Sequence, residues 1–423
     1  MTLSHLLKRE IKAFLKNPSF ILAVVLVLGI YGTLGNITGK ATESAVREML
    51  EARIGLVMEE DTQLVRQVVR LLNITLNGKV YLYDSLDRAI SETGIGVVLP
   101  RGFTENATST DKPVLIKGSV RVMAFSITSG QARIGVLSAV SNTLERILPI
   151  AIGAIYNVSI QPQKPVVLNS TILLYEREID YSVFSSIMFM ISLTPMLVSI
   201  VFGINATYAS QLVAIEKVEK AFEMLLAQPI KRRDIVLAKI LGASIASIIF
   251  GTIYLIGMFI IYTGGQGSAV QEVSGITTTP FTLMLNIFGP WILIITGLTL
   301  MLGLVFSGAI GVIIGSAVSD ERIAGGLATP IMLIFIGVGF SIMFMGLQPS
   351  ISTAILAGMT IAPLPYIYAI STLSGDVFLM VYSIGIAIGM CALLIYLATN
   401  MFNRDIVVLG IRISWARKQK ERV

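Results

Sequence analysis

Charged side chains are missing from long stretches of this chain. Asp180 and Glu216 bracket 35 residues without Asp, Glu, Lys or Arg; Lys239 and Glu272 bracket 32, Glu272 and Asp320 bracket 47. Arg322 and Asp376 bracket 53 more, Asp376 and Arg404 bracket 27, and Lys16 and Lys40 bracket 23. Ionised groups at the centre of a bilayer are costly and rare, and about 20 apolar residues cross the hydrocarbon as a helix. Every run is long enough. Charged residues make up 14% of the whole, against roughly 25% in soluble domains. The chain is therefore expected to be a polytopic α-helical membrane protein. A soluble enzyme, a nucleic-acid-binding protein and a disordered chain are excluded as readings of the whole.

The formal charge of +6 does not point to nucleic acid. Residues 40–182 hold 15 basic and 15 acidic side chains, so the excess sits on the parts that flank the membrane. The single Cys, Cys391, lies in an apolar run, which leaves no disulfide framework within one chain. The single His, His5, leaves no His cluster for metal or acid–base work.

Basic residues set the orientation, because short cytoplasmic loops carry the Lys and Arg. Four lie in 1–17, six in 209–239, one at Arg322 and six in 400–423, while 263–289 and 347–376 carry none. Both termini are then cytoplasmic, in a cell membrane, and the number of spans is even. Six spans fit: 18–38, 181–208, 237–263, 290–318, 326–347 and 376–400. A cleaved signal peptide is the competing reading of the first. Its long apolar stretch and the lack of an A-x-A-like site oppose it.

The segment 39–180 is expected to be an extracellular α/β domain. Residues 41–72 read as helical, 79–83 and 94–99 as strands around a short helix, 113–120 and 165–175 as further strands, and 131–155 as a long helix. Sequons at Asn73, Asn106, Asn157 and Asn169 suit an outer surface. No catalytic constellation is present, which favours a docking or lid role.

Residues 1–17 form a basic amphipathic pattern suited to the inner interface. Leu3, Leu6, Leu7, Ile11, Phe14 and Leu15 lie on one face, and Lys8, Arg9, Lys12 and Lys16 on the other. The basic tail, 401–423, is expected to meet anionic lipid. The segment 209–236 carries more information. Glu216, Glu219 and Glu223 make one helical stripe, Ile215, Val218, Phe222, Leu225 and Leu226 an adjacent apolar one, and Pro229 stops the helix. That pattern suits insertion into a groove on a soluble partner. Farther on, 53 uncharged residues broken by Pro349, Pro363 and Pro365 fit one span plus a re-entrant hairpin, 348–375. Non-helical backbone at that depth must be buried in protein or line a cavity, so the three prolines are expected to shape a gate at the outer mouth.

E-(x)6-E-x-L-L-x-x-P, at Glu216, Glu223, Leu225, Leu226 and Pro229 with Lys239 ten residues on, resembles the coupling-helix signature of ABC-2 type permeases, the membrane subunits of type V ABC exporters. Gly94–Ile116, Ser319–Gly326 and Ile361–Asp376 are similar to the subgroup with a large extracellular domain between spans one and two, which includes sodium-efflux and multidrug-type permeases. Val218 and Ala221 stand where that family often has Glu and Thr.

The resemblance implies no cofactor in this chain. It implies also that ATP and Mg are bound by a separate ATP-binding subunit, present in two copies, and that a second permease chain completes a homo- or heterodimer. Apart from Lys239 and Asp376 at their ends, the expected spans contain no Asp, Glu, Lys, Arg or His that could serve as an ion relay, which agrees with energy supplied from outside the chain. Hydroxyls and amides in the spans, among them Asn205, Ser247 and Ser307, read as helix-packing residues. An uncharged pathway favours a small amphipathic or hydrophobic compound or a lipid, and sodium remains an alternative. A membrane-anchored sensor that binds ligand outside without transport is the competing function.

Overall fold

The computed structural model describes parts of 36–48 and residues 49–109, 112–122, 124–156, 165–175, 177–218, 233–245, 247–249, 252, 280–318 and 321–402. The expected interfacial helix, almost all of the first span, much of the third and the basic tail lie outside the described residues. So do Glu219, Glu223, Leu225, Leu226 and Pro229.

The polar part of the chain folds on one six-stranded sheet. In chain order its elements are β1 (Ile54–Met58), α1 (Gln63–Thr75), β2 (Val80–Tyr83), α2 (Leu86–Thr93), β3 (Ile95–Leu99), α3 (Phe103–Thr108), β4 (Val114–Val122), α4 (Ile127–Tyr156), β5 (Val166–Leu174) and β6 (Arg177–Asp180). The strand order is β2-β1-β3-β4-β5-β6. β2, β1 and β3 run parallel, β4 opposes β3, β5 is parallel to β4, and β6 folds back as an antiparallel edge. α1 forms because Leu64, Val65, Val68 and Leu72 fall on one buried stripe, and the Thr62 hydroxyl caps it by accepting from the Val65 N–H. Tyr175 turns the chain between β5 and β6 with φ 49°, and burial pushes its phenol up to about 12.

The expectation of helix throughout 41–72 needs correction. The described residues between 36 and 51 are helical, but Ile54–Met58 is β1, an interior strand between β2 and β3. Leu56 packs into the main core, and Val57 packs on the other face with Ala89 and Val98. Parallel strands covered on both faces read as continuous apolar runs, and a five-residue run carries no period that separates strand from helix.

The rest is helical: α5 (Tyr181–Val218), residues 233–245 and 247–249, α6 (Pro280–Phe288), α7 (Trp291–Ala317), α8 (Glu321–Met345), α9 (Ile351–Thr360), α10 (Leu364–Ser374) and α11 (Val377–Phe402). Among the described residues four stretches are long and apolar enough to cross a membrane: Val183–Lys217, Trp291–Ala317, Ile323–Met345 and Val377–Met401. The chain is a polytopic membrane protein. α5 begins at the residue after β6, with no linker, and runs ten residues beyond the expected limit of 208. Charge alone does not end a helix once the chain has left hydrocarbon. At about 1.5 Å per residue its 38 residues extend about 57 Å.

α5 is the hub of the bundle and packs along both α7 and α8. Small residues permit the close approach. An added Cβ at Gly311 would lie 2.3 Å from the Ala206 carbonyl oxygen, and one at Gly315 would lie 2.4 Å from that of Ser210. The sheet-proximal ends of the helices share one core with the α/β domain. Phe184, Ile187 and Ile191 of α5, Phe288, Ile342 and Ile370 belong to the same apolar cluster as Leu56, Leu72 and Val97.

Candidate functional site

Two regions hold the residues singled out by sequence, and a third holds the described polar groups of the bundle. The first is the sheet-distal foot of α5. Glu216 Oε1 accepts from Lys239 Nζ on the helical segment 233–245, with both side chains about four-fifths buried (23% and 18% exposed). Glu216 Oε2 is buried and has no hydrogen-bond partner among the described residues. The neighbouring Lys217 points the other way. Its ammonium donates to the carbonyls of Ser316 and, at 2.9 Å, Val318, at the C-terminus of α7. Those carbonyls have no intrahelical partner, and a cation there is favoured by the helix dipole. Two adjacent residues of α5 thus tie it to the helical segment 233–245 and to α7.

The second region is the segment 348–375. It is a pair of short helices, α9 and α10, rather than extended non-helical backbone; between the two, only residues 361–363 leave the helical path. The Ser350–Thr353 capping box starts α9, and Gly375 ends α10 in the left-handed region. Ile361, with φ 64°, makes the turn. Ile361, Ala362 and Leu364 are buried among Val198, Phe202, Phe306, Phe335 and Ala387, each from the middle of a long helix. The hairpin therefore enters from the sheet side, turns inside the bundle and returns. Pro363 and Pro365 are buried at that turn, at the cap and second position of α10, where a missing N–H costs nothing. Pro349 is exposed at the entrance, away from the other two.

The third region is a polar knot. Asn205 of α5, fully buried, donates from Nδ2 to the Leu304 carbonyl (2.6 Å) and the Ser307 hydroxyl (2.8 Å) on α7. Its Oδ1 accepts from Ser247 (3.1 Å) on the helical segment that follows Lys239. Every polar atom of the amide is satisfied, which accords with a packing role. Ser307 also donates to the Gly303 carbonyl, and the single proton of Ser247 is shared between Asn205 Oδ1 and the Ala243 carbonyl, so removing the amide orphans little. Asn205→Ala is expected to cost about 1–2 kcal/mol, in the range of interhelical hydrogen bonds in membranes. The check is the thermal unfolding midpoint in detergent, and a midpoint equal to that of the unmodified chain would remove the knot from the stability account.

Sequence reasoning counted Lys217 only as a topological charge. The usable signal was at the other end of the contact: α7 ends in Ser-Ala-Val without the Gly or Asn that commonly closes a helix. Its last carbonyls therefore needed a donor from elsewhere. Among the described residues no group of three or more His, Cys, Asp or Glu could hold a metal ion.

Comparison with known proteins places this arrangement. A family model described as ABC-2 family transporter protein matches residues 18–400. That span holds the α/β domain, the foot of α5, the polar knot and the hairpin. No curated protein and no solved structure gives a significant match. The match covers most of the chain, and the chain belongs to the ABC-2 transporter family as an ABC-2 type permease.

Proposed function

We propose that the chain is the membrane-spanning subunit of an ATP-driven exporter. Two permease chains enclose a pathway, and two copies of a separate ATP-binding subunit drive it. The chain crosses the cell membrane six times with both termini in the cytoplasm, and the α/β domain stands outside, as in the large-domain subgroup. The observation that carries this reading is the continuity of α5, one 38-residue helix from β6 to the Glu216–Lys217 foot. Motion imposed at the foot has a direct path to the sheet and to the hairpin packed beside it. Glu219, Glu223, Leu225, Leu226 and Pro229 follow that foot directly and carry the contact with the ATP-binding partner.

The cargo is a small amphipathic or hydrophobic compound or a lipid. The described amide and hydroxyls of the knot are consumed by one another, which favours this class over a bare cation needing free oxygen ligands.

The test is a tagged pull-down from native membranes in mild detergent. The expected result is a stoichiometric ATPase that co-purifies and drives efflux after reconstitution. In that complex Glu223→Lys is expected to leave expression and assembly intact while reducing transport per ATP hydrolysed at least tenfold. No ATPase across several detergents would overturn the exporter reading in favour of a ligand-binding sensor. Unchanged coupling in Glu223→Lys would remove that helix from the mechanism.

A further inference from the structure

The short link between β4 and α4 does more than connect them. Phe125, in this link, is buried, and its carbonyl accepts two side-chain hydrogen bonds: one from Tyr366 of α10 (2.7 Å) and one from Ser192 of α5 (3.2 Å). Its ring stacks on Phe184 of α5 at 6.0 Å and meets Phe288 of α6 and Tyr366 edge-on at 6.4 and 6.1 Å. The Tyr366 hydroxyl also accepts from the Leu347 N–H, just past α8 (2.9 Å). Gly346, with φ 68°, lies so close that an added Cβ would sit 2.9 Å from Ser126 Cβ and 3.1 Å from both Ala124 Cβ and Tyr366 Oη. One tyrosine hydroxyl thus bridges the α/β domain to the segment that leads into the hairpin, from a position on the hairpin's own second limb.

We infer that the Phe125–Tyr366 contact is a latch that makes the α/β domain and the α9–α10 hairpin move as one body, with Tyr366 as its positioning residue. The hydroxyl both donates and accepts inside an apolar cluster. Moving the hairpin alone would orphan the Leu347 N–H and remove one of two donors from the Phe125 carbonyl, and unmade hydrogen bonds in such surroundings are expensive. The close seat of Gly346 against residues 124 and 126 leaves no room for the link to slide. The small displacements that tight packing forbids are replaced by two discrete arrangements, latched and released. This inference does not depend on ATP-driven transport; it holds equally for a chain that only reports on a ligand of the α/β domain.

The test uses the full chain in lipid nanodiscs with Cys391→Ala as background, since Cys391 is the only cysteine. Spin labels go on Leu115→Cys in β4 and Ile351→Cys in α9, both well exposed (48% and 68%). Pulsed electron spin resonance is expected to give one narrow distance distribution with Tyr366 present. Tyr366→Phe, which keeps the ring, is expected to add a second population of roughly 10% or more. Tyr368→Phe on the same helix removes a comparable bond, to the Phe288 carbonyl (2.9 Å), and is expected to leave the distribution unchanged.

An unaltered distribution in Tyr366→Phe, or an equal change in Tyr368→Phe, overturns the latch. Should Tyr366→Phe not fold, hydrogen exchange on the unmodified chain decides. Amides of residues 124–126 and 346–348 are expected to open together with the same protection. Protection differing more than tenfold overturns the inference.

Discussion

Gly311→Leu is expected to destabilise the folded bundle strongly, while Gly297→Leu in the same helix is expected to leave it intact. The two glycines share helix α7 and its apolar setting but differ in what stands before them. Any Cβ at 311 meets backbone, the Ala206 carbonyl oxygen at 2.3 Å and its carbon at 3.0 Å, and beside them the Ala209 Cβ at 2.7 Å, all on α5. Backbone cannot rotate away as a side chain can, so the helices must part. Parting them there separates the Gly315–Ser210 contact one turn on and pulls at the Asn205–Ser307 bond between the same two helices. Overpacking a well-filled core costs about 1–3 kcal/mol. With a neighbouring contact and the polar knot strained together, the upper end, about 3 kcal/mol, is expected.

At Gly297 nothing lies within 4 Å of the added Cβ, and loss of a helical glycine contributes about 0.5–1 kcal/mol in favour of the fold. Size-exclusion profiles and melting curves of the two variants in one detergent make the comparison. Equal melting of the two would show that α5 and α7 do not meet at Ala206.

How far the sequence reached depends on the physics behind each feature. Charge exclusion from hydrocarbon is strong and local. For that reason the uncharged runs after Asp180, Glu272, Arg322 and Asp376 mark where α5, α7, α8 and α11 lie. The same signal is silent about where a helix stops after it leaves the apolar zone, and α5 continues to Val218 with its first charge, Glu216, inside it. β1 was hidden for a different reason. Its neighbours on both faces remove the alternation that identifies a strand, and only the partners β2 and β3 make it one.

The hairpin's limbs are helical because Pro363 and Pro365 fall in the cap and first turn, where proline is compatible with a helix; a count of prolines does not convey that. Of the coupling residues only Glu216 is among those described. Its bond to Lys239 joins positions 23 apart across a chain reversal, and the motif spacing carried that pair without its geometry. Tyr366 and Phe125 are 241 residues apart. No period or motif links them, and only the assembled fold brings them together.

Lys239→Glu and Glu216→Lys, made singly, are each expected to lower the melting midpoint by about 5–10 °C, and the double swap is expected to recover most of the loss. Each single variant sets two like charges against each other at a site about four-fifths buried. Removing one member of a fully buried pair costs about 3–5 kcal/mol. The residual exposure of both side chains screens part of that, so about 2–3 kcal/mol is expected here. A domain of a few hundred residues loses about 2–4 °C per kcal/mol, which gives the stated shift.

The swap separates two roles of Glu216. If the carboxylate serves only to hold α5 against the segment 233–245, the swapped chain regains both its melting point and its ATP-coupled transport. Glu216 Oε2, however, is buried and unpartnered among the described residues. In the sequence Glu216 begins the stripe that Glu219 and Glu223 continue, and the proposed partner contact requires a carboxylate on that stripe. The expected outcome is therefore split: stability returns in the swap, and transport per ATP hydrolysed stays at least fivefold below that of the unmodified complex. Full recovery of both would confine Glu216 to the fold. Failure to recover stability would mean that Lys239 and Glu216 are held by packing, with their charges incidental.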